Sequence, residues 1–176
     1  MKNHQLVEEW FIEYNEAIYN YLVYYTGSRE MEDLVQEVFI KAIKMKHKEH
    51  IDNPKTWLFS IARNVAIDHY RRLRIIKWVP EQILLKKSSL DKTPDEIALQ
   101  NEEAASVHHA LQQLKPTYRN VLILRWIQDL SVEETAEILG WSEAKVKTTY
   151  YRAFQKLKEV LHTKFEVMKH EIELRL

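Results

Sequence analysis

An all-α fold built as two small helical domains is the architecture this sequence predicts, and three observations predict it. Only two glycines, Gly27 and Gly140, occur in 176 residues, too few for the turns of a β-rich chain. The chain is rich in Leu, Ile, Glu, Lys, Ala and Gln, residues that favour helix. Apolar residues recur at helical spacing through most of the chain, and the periodicity lapses between Trp78 and Thr93. Residues 1–77 and 94–176 are therefore expected to fold as separate units, with residues 78–93 as a flexible linker.

In chain order, residues from about Leu6 to Tyr25 read as an amphipathic helix rich in aromatics, broken at Thr26-Gly27-Ser28. Ser28 is the expected N-cap of a second helix running to about His47. On that helix Met31, Val35, Val38, Phe39, Ala42 and Met45 share one face; Asp33, Gln36, Glu37, Ile40, Lys41 and Lys44 share the other. After a polar loop, Asn53-Pro54 supplies an N-cap followed by proline at the first helical position, opening a third helix to about Lys77. Thr93-Pro94-Asp95-Glu96 is a capping box that starts a helix ending at Leu114, before the break at Lys115-Pro116. The next helix holds Val121, Leu122, Leu124, Arg125 and Trp126. A second capping box, Ser131-Val132-Glu133-Glu134, opens a short helix ending at Gly140, and Ser142 caps a last helix that reaches Leu161 or beyond.

Composition removes whole classes of function. There is no cysteine, so disulfides, thiolate catalysis and cysteine zinc sites are excluded. The longest aliphatic run, Val121 to Leu124, is far too short to cross a membrane, and Met1-Lys2-Asn3-His4 leads into an acidic stretch unlike a signal peptide. A cytoplasmic protein without membrane insertion is expected. No glycine-rich phosphate loop occurs, and no cofactor or metal is implied. His47 and His50 flank Glu49, and His108 adjoins His109, but neither arrangement has a metal or triad spacing. They read as solvated helix-surface histidines.

Net charge is zero, yet its distribution is uneven. Residues 1–40 are acidic, residues 41–77 carry ten basic against three acidic side chains, and residues 141–158 carry five against Glu143 alone. An acidic stretch from Glu81 to Glu103 separates the two basic ones. This layout fits a protein that touches DNA at two places and something else in between.

The most specific local signal lies between Val132 and Leu157. Two steeply crossing helices need a small residue at closest approach, and Ala136 supplies it. Four residues later Gly140 permits the positive φ of a tight turn, and six after that Val146 can bury against the first helix. This is the spacing of a DNA-binding helix-turn-helix. On the last helix Val146, Tyr150, Ala153, Phe154, Leu157 and Leu161 should point inward. Ala144, Lys147, Thr148, Tyr151, Arg152 and Gln155 should point outward, with Lys145 and Thr149 at the margins. Short side chains there can meet thymine methyls while bases hold phosphates; an αα-hairpin with a solvated basic face is the plain alternative. The helix after Pro54 divides similarly. Trp57, Leu58, Ile61, Ala62, Val65 and His69 form its inner face, with Trp57 read as core rather than as a base-stacking platform. Arg63, Ile67, Tyr70 and Arg74 lie opposite, with Asn64 and Arg71 at the border, a face able to hold phosphates and stack bases.

These segments carry a resemblance. Asp33-Leu34-Val35-Gln36-Glu37-Val38-Phe39-Ile40-Lys41 and Pro54 to Asn64, continuing through Ile67-Asp68 to Arg71-Arg72, resemble region two of extracytoplasmic-function sigma factors. Leu114-Lys115-Pro116, Val121 to Arg125, the helix-turn-helix and Arg152-Ala153 resemble region four. The resemblance implies a subunit that binds core RNA polymerase, through its β′ and β subunits, and directs it to promoter DNA in a stress or envelope response. It implies that Asp33, Gln36, Glu37, Ile40 and Lys41 dock on a β′ coiled coil. Lys46, Lys48, Asn53, Arg63, Asn64, Tyr70, Arg71 and Arg74 would open and read the minus-ten element. Ala144, Lys145, Lys147, Thr148, Thr149, Tyr151 and Arg152 would read the minus-thirty-five element. It also implies an anti-sigma factor as partner, often membrane-anchored. Thr149 and Phe154 stand where many relatives carry arginine and Ala144 where many carry glycine, which implies fewer phosphate contacts and a different base preference. A stand-alone regulator would share the helix-turn-helix, but it leaves the acidic-apolar stripe of the second helix without purpose.

Overall fold

In the computed structural model, residues 2–28, 30–45, 51–76 and 102–173 are described, with side chains at 5–28, 30–45, 51–72 and 105–162. Among them every regular element is helical. Helices α1 (Lys2–Thr26), α2 (Glu32–Lys44) and α3 (Pro54–Ile76) pack on one another, each against both others. Ring contacts tie them together: Phe11 meets Phe39 edge-on at 4.9 Å, Trp10 meets Trp57 at 5.7 Å, and Tyr21 meets Phe59 at 5.6 Å. Gly27, at φ +83°, ends α1 as a left-handed terminator, its N–H donating to the Val23 carbonyl at 2.9 Å.

The start of α2 differs from the expectation. Met31, not Ser28, is its N-cap, and no side chain caps it. The Ser28 N–H donates instead to the Thr26 hydroxyl, and Met31 is drawn into the core. The helix stops at Lys44, and Met45 turns extended and exposed rather than completing the inner face. By contrast Asn53 caps α3 as expected, its Oδ1 accepting from Thr56 N at 3.1 Å.

The second group comprises α4 (Glu102–Gln113), α5 (Pro116–Leu122), α6 (Val132–Leu139) and α7 (Glu143–Glu173). Proline at the first position of α5 separates it from α4. The helix after Pro116 is not α-helical to its end: Ile123–Ile127 forms a π-helical turn, with Gln128 N–H reaching back to the Ile123 carbonyl at 2.9 Å. Ser131 and Glu134 form the reciprocal capping box, with bonds of 3.0 and 2.7 Å. Gly140 is left-handed at φ 64°, and the Ser142 hydroxyl accepts from Lys145 N at 3.3 Å. The Thr93 capping box and the linker 78–93 lie outside the described residues.

The two groups are not apart. A single hydrophobic cluster runs from Val7 to Leu157 through both, α6 packs against α3, and α4 and α5 pack against α1. Periodicity within one helix cannot reveal this. Phe59 and Ala66, outside the expected inner face of α3, are buried too.

Candidate functional site

Three surfaces follow from this framework. On α2 the acidic first turn and basic last turn suit the helix dipole, and the inward residues Leu34, Val35, Val38, Phe39 and Ala42 are buried. That leaves Asp33, Gln36 and Ile40 exposed and Glu37 and Lys41 partly so. Glu37 and Lys41 pair at 2.9 Å along the helix, and the Ile40 side chain stands 48% exposed beside them. The structure thus gathers all five expected residues on one outward stripe. Beside it lies a groove of about 530 Å³ between α1 and α2, lined by Phe11, Asn15, Glu16, Tyr19, Glu32, Val35 and Gln36. Phe11 is a member that helical spacing alone does not single out, because its ring also packs on Phe39.

The residues expected at the minus-ten element divide into two places. Asn64 is exposed and lines a cleft of about 500 Å³ with Lys41, Lys44, Met45, Trp57, Ser60 and Ile61. Trp57 is half-buried there, so it serves the core against Trp10 and also presents an edge to the cleft. Arg63, Tyr70 and Arg71 instead line a second cleft of about 290 Å³ toward α5, α6 and Trp141. Asn53 sits at the head of α3, where its Nδ2 donates to Glu134 Oε1 at 3.3 Å. Burial opposes ionisation of Glu134, but the Ser131 N–H, the Asn53 amide and the Ser131 hydroxyl together hold its pKa below the ordinary glutamate value. Lys46 and Lys48 lie outside the described residues, as do His47 and His50 and the side chain of Arg74.

The third surface is α7. Ala136, Val146, Ala153 and Leu157 are buried behind it, and Tyr150, Phe154 and Leu161 are half-buried. Ala144, Lys145, Lys147, Thr148, Tyr151 and Arg152 are exposed, Tyr151 at 66%, and Thr149 is at the margin. Lys147 pairs with Glu143 at 3.3 Å, and Lys145 lies 4.4 Å above the Trp141 ring. Phe154 meets Trp126 edge-on at 6.1 Å, so its side chain is committed to an apolar contact.

His108 corrects the reading of the histidines as solvated. It is buried, its Nε2 3.4 Å from the Val23 carbonyl and its ring 5.6 Å from that of Tyr24; His109 is exposed. Among the described residues no cluster of three or more His, Asp or Glu could hold a metal ion, and no helix is long and apolar enough to cross a membrane.

Comparison with known proteins agrees with this geometry. Residues 10–75 match the family model Sigma-70 region 2, and residues 104–157 match Sigma-70, region 4. The chain is 38% identical over 173 residues to the ECF RNA polymerase sigma factor SigX of Bacillus subtilis, covering 90% of this chain and 83% of the relative. It is 36% identical over 166 residues to RNA polymerase sigma factor YlaC of the same organism, covering 90% and 94%. Among solved structures it resembles the sigma factor RpoE of Bartonella quintana, crystallised with the anti-sigma factor NepR. That likeness has a TM-score of 0.67 at 25% identity, over 88% of this chain and 96% of the other. With most of α1, all of α2 and nearly all of α3 in one matched region, and most of α4 through to the middle of α7 in the other, the chain belongs to the sigma-70 family, among the extracytoplasmic-function sigma factors that bind core RNA polymerase and direct it to promoters.

Proposed function

We propose that this sigma factor divides promoter recognition among the three surfaces, within units of residues 1–77 and 94–176 joined by residues 78–93. The stripe Asp33, Gln36, Glu37, Ile40 and Lys41 docks on a coiled coil of β′. Charged residues around a single exposed isoleucine suit a steered, specific interface. The head and outer faces of α3, with Asn53, Arg63, Asn64, Tyr70, Arg71 and Arg74 and the preceding Lys46 and Lys48, open and hold the minus-ten element. Guanidinium groups neutralise phosphates, while Tyr70 and Asn64 can stack on or pair with an extruded base. The outward face of α7 reads the minus-thirty-five element in the major groove, with Ala144, Thr148 and Thr149 toward the bases and Lys145, Lys147, Tyr151 and Arg152 toward the backbone.

The observation that carries this reading is α7 itself. Its inner residues are buried against a helix-turn-helix closed by a left-handed Gly140, while Thr148, Tyr151 and Arg152 stand free in solvent. An anti-sigma factor is the proposed negative partner, by analogy with the complex in which the similar RpoE was crystallised, and a cytoplasmic stress or envelope response the setting. The test is run-off transcription from genomic fragments by core polymerase with and without the chain. New start sites should appear only with both present. If no fragment gains a start site, the reading fails.

A further inference from the structure

The 290 Å³ cleft between α3 and Trp141 holds two guanidinium groups, those of Arg63 and Arg71, and no Asp or Glu is among the residues that line it. Arg63 Nε is buried and has no hydrogen-bond partner. A desolvated donor in that state is costly, and an acceptor relieves it. A third cation stands behind the wall. Arg119 is 4% exposed, and among the described residues its hydrogen bonds all go to neutral carbonyls. Those are Tyr25 at 2.8 Å and Leu111, Gln112 and Leu114 at 3.0, 2.7 and 3.2 Å. Carbonyls solvate a guanidinium without cancelling its charge, so the charge is left for an anion to offset.

The rest of the lining is aromatic and apolar, with hydroxyls between. Tyr25, Tyr70 and Trp141 present rings, Ile67 and Leu139 present hydrocarbon, and Thr117 adds an exposed hydroxyl. Burial raises the Tyr25 phenol above its ordinary value, although Arg119, Arg63 and Arg71 all pull it down. It therefore stays a neutral hydroxyl that can donate. The Trp141 ring is held from another side by Lys145, 4.4 Å above it. A space of this size is at the lower edge of small-ligand pockets, about 300–1,000 Å³, so it has room for one small molecule. Two lining arginines and a buried third favour a dianion over a monoanion. A phosphomonoester carries a charge of about −1.5 to −2 near neutral pH, and arginine meets phosphate oxygens in a matching fork. Aromatic walls favour a planar ring.

We propose that this cleft is a binding site for a small phosphomonoester bearing a planar ring, of about mononucleotide size. Arg63, Arg71 and the Thr117 hydroxyl hold its phosphate, and its ring lies against Tyr70 and Trp141. Both matched regions contribute, Arg63, Tyr70 and Arg71 from the first and Thr117 and Trp141 from the second. The ligand binds only where these residues face one another, so it stabilises that arrangement by mass action. Through it the level of a phosphorylated metabolite bears on this sigma factor. The site does not depend on the minus-ten reading of α3.

The test is titration calorimetry of the full chain with the four ribonucleoside monophosphates, their nucleosides and inorganic phosphate. At least one mononucleotide should bind one to one and raise the melting temperature. Its nucleoside, which lacks the charge, and inorganic phosphate, which lacks the ring, should each bind at least about tenfold more weakly. Arg71→Gln removes a charge-assisted contact and should weaken the mononucleotide by about tenfold or more. Trp141→Ala should weaken it by a similar factor through the lost ring contact. Arg71 is exposed, so its variant keeps the fold and decides the matter even where Trp141→Ala does not fold. Lys156→Gln, which removes an exposed cation outside the cleft, should change nothing. The proposal is overturned if no mononucleotide binds at a concentration on the order of 1 mM, or if binding survives Arg71→Gln unchanged. Equal weakening by Lys156→Gln would reduce it to general charge attraction and overturn it too. Inorganic phosphate binding as tightly as every mononucleotide would overturn the ring's part in the site, and with it the assignment.

Discussion

The Tyr21 hydroxyl donates to Asn120 Oδ1 at 2.9 Å, joining two buried side chains 99 positions apart. Both belong to helices with their own local reasons to form, yet neither polar group would be satisfied if the two regions separated without water entering. Burial drives the Tyr21 pKa far above the ordinary phenol range, so the hydroxyl remains a donor at any working pH. Tyr21→Phe leaves Asn120 unpaired in the core and should lower stability by about 1–2 kcal/mol. Calorimetry should show one transition for the parent, since the apolar core is continuous through both groups. Two well-separated transitions in the parent would mean that the pair does not couple the halves.

On α2 the prediction is the opposite combination, a large functional effect with a small structural one. Asp33 and Glu37 lie at the surface, and Glu37 pairs with Lys41 four residues on. Asp33→Lys with Glu37→Lys should cost under about 1 kcal/mol of stability, as exposed pairs contribute little. The same change should abolish retention on immobilised core polymerase. Full retention would remove the stripe from the interface.

The two surfaces proposed to meet DNA should fail at different steps. On α7, Thr148→Ala should weaken recruitment to a duplex promoter by about 1–3 kcal/mol where a base contact is lost, and Arg152→Ala should weaken it about equally for all sequences by removing a phosphate contact. Asn64→Ala or Arg71→Ala on α3 should leave recruitment nearly intact and slow strand opening, followed by permanganate reactivity or a fluorescent base. A common defect at a common step would contradict the division.

Most of the fold was legible because its signals are local. The Ser131–Glu134 box, Asn53 before Pro54, and Gly140 after α6 each specify a helix end within four residues, and the structure keeps all three. The outward face of α7 was equally legible, since its inner face packs within the same short motif. What escaped was decided at long range. Ser28 lost the cap of α2 because Met31 has a core to enter. The π-helical turn at Ile123–Ile127 accompanies burial of Leu130, whose N–H reaches the Leu124 carbonyl at 3.0 Å. His108 and Arg119 look like ordinary solvated residues of polar helices until α1 is placed against them. A helical wheel puts Arg63 and Tyr70 on one side of α3, but it cannot tell that α5, α6 and Trp141 stand across a cleft from them.

The final prediction concerns acid. Glu134 accepts from Ser131 N at 2.7 Å and from Asn53 Nδ2 at 3.3 Å, so it both caps α6 and bridges to the head of α3. Its pKa is depressed in the folded chain, and the sign of the linkage follows from that. A carboxylate with a lowered folded-state pKa stabilises fully above its unfolded pKa, and the contribution is lost as pH falls through the folded value. The melting temperature should therefore fall on acidification below the ordinary glutamate range, partly through loss of this cap and bridge. Glu134→Gln retains an amide oxygen for the Ser131 N–H but cannot titrate. The variant should melt lower than the parent at neutral pH, and its acid decline should be shallower, the two curves converging at the acid end. Asn53→Ala should remove only the part of the slope that comes from the bridge to α3. Parallel curves for parent and Glu134→Gln across the acid limb would show that Glu134 does not couple protonation to the packing of α6 on α3.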